Sequence, residues 1–286
     1  MSDVVFRYGL FGAGRCGCVH GEILIGQGQR LVALGDENPS ALASAVERLG
    51  VQGAATFADA SSMAKHGTLD AVVISSHTKD HARDAEPFVR AGIPVYLEKP
   101  LTADLSEGFS FVKRIGVEKN LLQIGLQRRF DEALVYAKQL LDEKCVGEIR
   151  EIRSILRDQH PPPATYSSRG LIIDMGIHVA DEVLWLTGEF PCTVWAKTFQ
   201  MTELPGRCAE FQPRFQRAFE IAHSQFRDRV REKTNFAVTQ IDVLNAQVAV
   251  EAAHRSAVNG GRDYVVARSE NLDEYERLCQ DHKLFD

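Results

Sequence analysis

Short apolar runs and amphipathic stretches alternate along the first 126 residues. The apolar runs are bounded by glycine, proline or polar residues, as is typical of buried strands, and the stretches between them carry apolar residues at helical intervals. The predicted strands are 4–11, 30–35, 53–57, 69–76, 93–97 and 121–126, and the predicted helices are 18–27, 39–49, 58–66, 80–91 and 104–118. This alternation predicts an α/β fold, a doubly wound parallel sheet with helices on both faces.

The pattern changes near residue 127. Residues 148–157 are interpreted as a strand with one wet face, and 158–168, with three consecutive prolines, as a loop that either carries specificity or acts as a rigid connector. The other predicted elements are helices 132–141, 171–186, 213–230, 241–259 and 272–279 and strands 194–201 and 264–267. We therefore predict two domains, a parallel-sheet domain over 1–126 and an α+β domain over 127–286.

Composition limits the kinds of partner. The chain has 286 residues, 44% of them hydrophobic and 25% charged, which is typical of a globular protein. A net charge of -6 argues against nucleic acid, because binding to phosphate backbones depends on clustered lysine and arginine. No apolar run is long enough to cross a bilayer, and the N-terminal residues lack the basic and apolar regions of a signal peptide.

The six cysteines are scattered along the chain. Cys16 and Cys18 form a C-x-C pair, but no second Cys/His pair has the spacing of a metal site. We therefore expect reduced thiols, a cytoplasmic protein and no bound metal.

The first apolar run leads into the glycines Gly12, Gly14 and Gly17, spaced G-x-G-x-x-G. In a dinucleotide-binding turn the first glycine makes the tight turn, the second lets the backbone approach a pyrophosphate, and the third allows close packing of helix on strand. The anion would rest on the helix N-terminus. An ordinary glycine-rich turn is the alternative for this motif taken alone.

A second strand ends at Asp36, 24 positions after Gly12. A carboxylate there can accept hydrogen bonds from the adenosine ribose. Because it would also repel a 2′-phosphate, Asp36 favours NAD over NADP. Strand, glycines, helix and acid together predict dinucleotide binding.

Polar residues follow two of the predicted central strands. Ser76 ends the strand 69–76, and His77, Thr78 and His81 follow it, at the edge where open α/β sheets bind ligands. For His81 the alternative is a solvent-facing residue at the start of a helix. Lys99 follows the strand 93–97 and precedes Pro100, which favours an extended backbone and an ammonium directed into the crevice. A surface lysine is equally consistent with the sequence.

Asp174 and His178 lie four residues apart in a predicted helix, where two side chains share one face. A carboxylate that holds an imidazole gives a base suited to removing a hydroxyl proton. Taken alone, a buried histidine with satisfied hydrogen bonds is the better explanation.

Five motifs occur together in one order: 12–20 (GAGRCGCVH), 78–81 (TKDH), 98–101 (EKPL), 128–131 (RRFD) and 174–178 (DMGIH). With these motifs the chain resembles the glucose–fructose oxidoreductase/inositol dehydrogenase/MocA family over 1 to about 200 and again over about 211–267. The spacing of Lys99, Asp174 and His178 looks most like that of the inositol dehydrogenases.

The resemblance implies an NAD(P)-dependent oxidoreductase acting on CH–OH donors, which oxidises a secondary hydroxyl of a cyclic polyol or sugar or runs in reverse. His178 would be the general base, Asp174 would orient it, and Lys99 would hydrogen-bond the reacting oxygen. The expected cofactor-binding residues are Gly12, Ala13, Gly14, Arg15, Cys16, Asp36, Ser76, His77, His81, Glu98, Lys99 and Gln127. The expected substrate-binding residues are Lys99, Arg129, Arg157, Asp174 and His178.

One departure concerns the second domain. After Met201 the family normally adds several antiparallel strands, whereas here 202–212 leads directly to a late helix. The expected sheet is therefore open and shortened, either by nature or because an internal segment is absent. Those strands normally supply the subunit-pairing face, so a homo-oligomer through the C-terminal sheet is expected only if that face remains.

Two rival functions stay open at this point. One is an NAD-binding regulatory or sensor protein of the same fold without turnover, which the shortened sheet favours and the presence of Lys99, Asp174 and His178 disfavours. The other is a reductase of another ring substrate.

Overall fold

The structure is a computed structural model that describes residues 4–116, 121–156, 170–198, 211–266, 272–274, 277 and 285. The chain divides into two compact units. Unit 1 comprises Met1–Gly125 and Phe219–Gln240, and unit 2 comprises Leu126–Ala218 and Ile241–Asp286.

Unit 1 contains a six-stranded parallel sheet in the order β3-β2-β1-β4-β5-β6. Its strands are β1 (Arg7–Phe11), β2 (Arg30–Gly35), β3 (Ala55–Phe57), β4 (Ala71–Ile74), β5 (Val95–Glu98) and β6 (Leu122–Gly125). Its helices are α1 (Arg15–Gly26), α2 (Pro39–Leu49), α3 (Ala60–Ala64), α4 (His81–Arg90) and α5 (Leu105–Ile115). The predicted Rossmann-type doubly wound sheet is confirmed.

The central strands are apolar because both of their faces are covered. Every residue of β4, β5 and β6 is buried, and the side chains of Tyr8, Phe11 and Tyr96 are almost completely inaccessible. Local signals set the helix ends. Asn38 accepts hydrogen bonds from the first turn of α2, and Gly50, with a φ of +66°, ends that helix.

The segment 219–240 groups with the sheet of unit 1. The carbonyl of Val238 accepts a hydrogen bond from Ile124 of the edge strand β6 at 3.4 Å, and Phe226 packs edge-on against Tyr96. Apolar and aromatic residues of this segment therefore extend the core of unit 1 and cover one sheet edge. The predicted second domain was one continuous segment, 127–286. In the structure, 219–240 instead belongs to unit 1.

Unit 2 is mainly helical in the described residues. It contains α6 (Glu132–Asp142), α7 (Leu171–Asp174), α8 (Gly176–Thr187), the beginning of α9 (Phe211–Glu232) and nearly all of α10 (Gln240–Val258). Strands β7 (Thr193–Val194) and β8 (Tyr264–Val265) form a two-stranded antiparallel sheet. In the described part of the chain, this small sheet and the helices agree with the expected α+β character.

The predicted strand over 148–157 is wrong for its described residues. Residues 148–156 have no regular secondary structure, and 157 lies outside the described residues. Ile149, Ile152 and Ile155 are all exposed. They are spaced three apart, so they cannot line one face of a strand, whose side chains alternate with period two.

A second predicted strand also differs from the structure. Of the predicted strand 194–201, only Val194 lies in β7, because 195–198 have no regular structure and 199–201 lie outside the described residues. The predicted loop 158–168 also lies outside them. In the described residues, no helix has the length and apolar character needed to cross a membrane.

Candidate functional site

The three glycines of the motif have different surroundings. Gly12 has a φ of +94°, and a Cβ built on it would lie 2.3 Å from the backbone of Ser75 and Ser76. A Cβ on Gly17 would lie 1.9 Å from the carbonyl oxygen of Gly12, whereas a Cβ on Gly14 would meet nothing within 4 Å. The fold therefore requires glycine at 12 and 17, while the space beside Gly14 is open to a ligand.

Helix α1 begins directly after Gly14, and no described side chain caps its first turn. Gly14 and Arg15 are exposed, and Cys16 is half-buried. Unpaired backbone N–H groups and the positive end of the helix dipole favour an anion. This arrangement suits the pyrophosphate of a dinucleotide, and the predicted contacts of 12–16 with it stay predictions.

Asp36 is held against the glycine loop. Its carboxylate accepts a hydrogen bond from the Ala13 N–H at 2.7 Å and another from the Asn38 N–H at 2.8 Å. The acid at the end of β2 is therefore fixed beside the turn, as a ribose-binding carboxylate must be.

Replacing Asp36 by alanine is expected to reduce the preference for NAD over NADP by about ten- to hundredfold, because the variant loses both a charged hydrogen-bond acceptor and the repulsion of a 2′-phosphate. Dissociation constants for both dinucleotides, measured by calorimetry, check this. Glu37→Ala removes the adjacent carboxylate, which is paired with Arg83, and should leave the ratio unchanged. Equal ratios in the two variants would contradict a ribose-binding role for Asp36.

His81 is buried, so the alternative of a solvent-facing residue is wrong. Its Nδ1 lies 2.7 Å from the carbonyl oxygen of Pro100, and its Nε2 lies 3.1 Å from that of Ser76. Burial lowers the pKa of His81, although both carbonyls act in the opposite direction. His81 therefore ties together the loops that follow β4 and β5.

Two other predicted cofactor residues occupy the same edge. His77 is exposed, and Ser76 is half-buried with its hydroxyl oxygen enclosed and without a hydrogen-bond partner among the described residues. Both lie at the carboxyl end of β4, where the fold binds ligands. Their contacts with a cofactor stay predictions.

Glu98 and Lys99 lie at the carboxyl end of β5. The Glu98 side chain is nearly buried; its Oε1 lies 2.9 Å from His20 Nε2, and its Oε2 accepts a hydrogen bond from the Lys99 N–H at 3.2 Å. Lys99 itself is half-buried. Glu98 is therefore held inside the protein, and Lys99 lies directly after the end of the strand.

His20 is fully buried among polar partners. Its Nε2 faces Glu98 and the Cys16 sulfur, which lies 3.7 Å away, and its Nδ1 lies 2.7 Å from His223 Nε2. Burial alone would lower the pKa of His20, but interactions with Cys16 and Glu98 raise it to about 10. Burial and the charge of His20 lower the pKa of His223. These opposite directions favour the proton on His20 and a neutral His223.

This charge predicts a pH dependence of stability. Because the pKa of His20 is raised from 6.5 to about 10 in the folded protein, its stabilising contribution is complete below pH 6.5 and is lost as the pH rises toward 10. We expect the free energy of unfolding, measured by urea denaturation, to fall more steeply over this interval in the native protein than in His20→Gln. Parallel curves would exclude a buried imidazolium. Groups facing His20 are Cys16, Tyr96, Glu98 and His223.

The Cys16 sulfur, His20 Nε2 and a Glu98 oxygen lie within 4.8 Å of one another, and this set could hold a metal ion. The sequence motif did not indicate it, because Glu98 is distant in the sequence. The Nε2 nitrogen of His20 that a metal would need already lies 2.9 Å from Glu98 Oε1, at hydrogen-bond distance.

In unit 2, the segment carrying Asp174 and His178 is not one continuous helix. α7 ends at Asp174, Met175 separates it from α8, and the His178 N–H donates to the Met175 carbonyl at 3.2 Å, three residues back. A Cβ on Gly176 would lie 3.1 Å from Val250 of α10, so the glycine allows close packing there. His178 is buried and Asp174 is half-buried. Their direct contact stays a prediction.

The predicted residues of 127–129 are all in unit 2. Gln127 is buried, and Arg128 pairs with Glu182 at 2.6 Å and lies over the Phe215 ring. Arg129 pairs with Asp181 at 2.6 Å and contacts Asp242 at 3.4 Å. These ion pairs give Arg129 a structural role, and its substrate contact stays a prediction. Arg157 lies outside the described residues.

Several site residues were missed by the sequence reasoning. Asp181 and Glu182 follow His178 by three and four positions and are buried against the two arginines. Burial raises the pKa of Asp181 to about 6, against the opposing effect of Arg129. Two acids in an otherwise apolar helix were the available signal. His223 had no signal, since its partner lies 203 residues away.

Comparisons with known proteins agree with this architecture. Residues 6–126 match a family model described as GFO/IDH/MocA oxidoreductase family, NAD-binding Rossmann fold, and residues 134–230 match the GFO/IDH/MocA C-terminal domain.

The relatives include inositol dehydrogenases. Inositol 2-dehydrogenase of Rhizobium meliloti strain 1021 is 35% identical over 66% of this chain and 57% of its own length. Inositol 2-dehydrogenase 2 of Saccharopolyspora erythraea is 32% identical over 74% and 61%. The matches thus span less than two thirds of these relatives. The crystal structure of apo scyllo-inositol dehydrogenase from Lactobacillus casei is 26% identical, with a TM-score of 0.82 over 92% of this chain and 99% of that one.

Proposed function

Because this chain belongs to the GFO/IDH/MocA family of oxidoreductases, whose N-terminal domain is an NAD-binding Rossmann fold, we propose that it oxidises a secondary hydroxyl of a cyclic polyol with NAD as hydride acceptor. An inositol is the substrate class proposed, after the names of the relatives. The observation that carries the proposal is the glycine loop of unit 1, open beside Gly14 and fixed to Asp36.

The described residues of the loop fit a dinucleotide. The uncapped start of α1 offers N–H groups to a pyrophosphate, and Asp36 offers a carboxylate to a ribose. When bound, NAD supplies the site that accepts the hydride. The protein's task is to bind and orient both reactants and to move the hydroxyl proton.

We assign the proton transfer to His178 and the stabilisation of the reacting oxygen to Lys99. Hydride leaves carbon readily only as the hydroxyl proton departs, so a base and a cationic donor serve the same step. Asp174 is assigned to orient the imidazole. The family motifs carry these assignments, together with the position of Lys99 at the ligand-binding edge of the sheet.

A direct test is the rate of NADH formation, followed by absorbance, with a panel of inositols, hexoses and linear six-carbon polyols. We expect turnover with at least one inositol and a slower rate or none with linear polyols of the same length. The same panel is run in reverse with NADH and the corresponding ketones. Binding of NAD without turnover in either direction would favour the regulatory alternative, and turnover only with a different ring substrate would favour the reductase alternative.

The proposal extends to compartment and assembly. We place the protein in the cytoplasm, because the described cysteines Cys16, Cys18, Cys145 and Cys192 are free thiols. We propose a homo-oligomer through the C-terminal domain, which light scattering of the purified chain tests.

A further inference from the structure

A line of buried polar groups in unit 1 ends on the proposed catalytic lysine. His223 of α9 lies 2.7 Å from His20 of α1, His20 lies 2.9 Å from Glu98, and Glu98 accepts the hydrogen bond from the Lys99 N–H. His20 and His223 are completely inaccessible to solvent. Three segments distant in the sequence therefore converge behind the end of β5.

The distances along the line allow two patterns of protons, and the ion pair with Glu98 favours one of them. Two nitrogens 2.7 Å apart can share only one proton, and Glu98 favours a second proton on the opposite nitrogen of His20. A neutral His20 would accept from His223 Nε2–H, whereas an imidazolium donates from both nitrogens, to the Glu98 carboxylate and to His223. The close contact with the carboxylate favours the imidazolium. His223 then accepts through Nε2, is neutral and carries its proton on Nδ1, which is buried without a hydrogen-bond partner among the described residues.

Aromatic rings hold this arrangement and keep water away. Tyr96 packs against His223 with the two rings tilted and their centroids 4.6 Å apart, and Phe219 packs edge-on against His20 at 5.5 Å. A Cβ on Gly125 would lie 2.9 Å from Glu98 Oε1, so this glycine of β6 provides the room for the carboxylate. The side chains around the line thus allow little movement of Glu98.

We propose that His223 is a positioning residue, which acts through His20 and Glu98 to hold the backbone of Lys99 at the carboxyl end of β5. The inference rests on the proposed function, in which Lys99 donates to the reacting oxygen. Without the acceptor on His223, the Nδ1–H of His20 is buried and unpaired, which weakens the charged state that pairs with Glu98. Glu98 then loses its fixed position, and the backbone amide of Lys99, which donates to Glu98, loses its fixed position as well.

The first test uses the native chain. Nitrogen-15 NMR of the imidazole rings at pH 7.5 should find His20 protonated on both nitrogens and His223 protonated on Nδ1 only. A neutral His20, or His223 protonated on Nε2, would overturn the proposal without any variant and without a substrate.

The second test compares three variants by amide hydrogen exchange of Lys99. His223→Leu should raise the exchange rate about tenfold, because it removes the acceptor at similar volume. His223→Gln supplies an oxygen acceptor and should return the rate to near the native value. His66→Leu makes the same change at an exposed histidine and should have no effect. If His223→Leu does not fold, the native and His223→Gln data still decide the pattern of protons.

The third test uses turnover with the polyol found active. His223→Leu should lower kcat about tenfold and leave KM for NAD within about twofold, and His223→Gln should recover most of the loss. A purely structural role of His223 would not lower kcat while leaving KM for NAD unchanged. It would also not allow His223→Gln to restore kcat. If the native chain turns over no polyol, the proposed function fails. The NMR and exchange results still decide whether His223 positions Lys99 through His20 and Glu98. Unchanged exchange and unchanged kcat in His223→Leu would refute it.

Discussion

Replacement of Lys99 by alanine is expected to lower kcat for polyol oxidation by about 10²- to 10⁴-fold, and His178→Ala by a similar factor. Removing the ammonium leaves the developing charge on the reacting oxygen without its cationic donor, and removing the imidazole leaves the hydroxyl proton without a base. NAD binding should remain within about threefold of the native value in both variants, because neither change alters the glycine loop or Asp36. Steady-state kinetics and calorimetric titration of NAD measure the two quantities separately.

Matched controls exist for both changes. Lys65→Ala and His66→Ala remove an exposed lysine and an exposed histidine that follow α3, the histidine packed on the Phe57 ring, and should leave kcat unchanged. The conservative variant Lys99→Arg keeps the charge and should retain part of the activity. Turnover at the native rate in Lys99→Ala and in His178→Ala would remove both assignments. Loss of NAD binding in His178→Ala would indicate disruption of the fold, and in Lys99→Ala it would point to the expected contact of Lys99 with the cofactor.

Gly17→Ala is expected to impair folding and cofactor binding together. The added Cβ would lie 1.9 Å from the Gly12 carbonyl oxygen, which is backbone and cannot rotate away, so α1 must move from β1. We expect a loss of about 2–4 kcal/mol in the free energy of unfolding and at least a tenfold weaker affinity for NAD. Urea denaturation and calorimetry test this.

Two further glycines make this result specific. Gly14→Ala has open space around its new methyl group, so stability should change by less than about 0.5 kcal/mol while NAD affinity falls, because the methyl group occupies the approach of the pyrophosphate. Gly26→Ala, at the end of the same helix and also in open space, should change neither quantity for the worse. A Gly14→Ala variant that binds NAD normally would show that the ligand does not use this loop.

The fold of residues 4–116 and 121–125 followed from local signals in the sequence. These signals are apolar runs that become buried strands, glycine or proline at helix ends, and an asparagine cap. Each of them lies within a few residues of the element that it determines. The helix at Pro39–Leu49 and the strand at Arg30–Gly35 accordingly have the predicted bounds. In unit 2 the local pattern did not predict the structure at 148–156. The isoleucines there are three residues apart and do not alternate with period two as in a strand.

The sequence by itself determined the parallel sheet, the glycine turn and the acid beside it, since each depends on neighbours within one β-α-β unit. Only the tertiary structure decided that His223 joins His20 and Glu98, that Arg129 pairs with Asp181, and that 219–240 completes the core of unit 1. These contacts join segments 52 to 203 residues apart. A histidine buried by a distant helix has the same local pattern as one in solvent, so its partner and its charge come from packing alone.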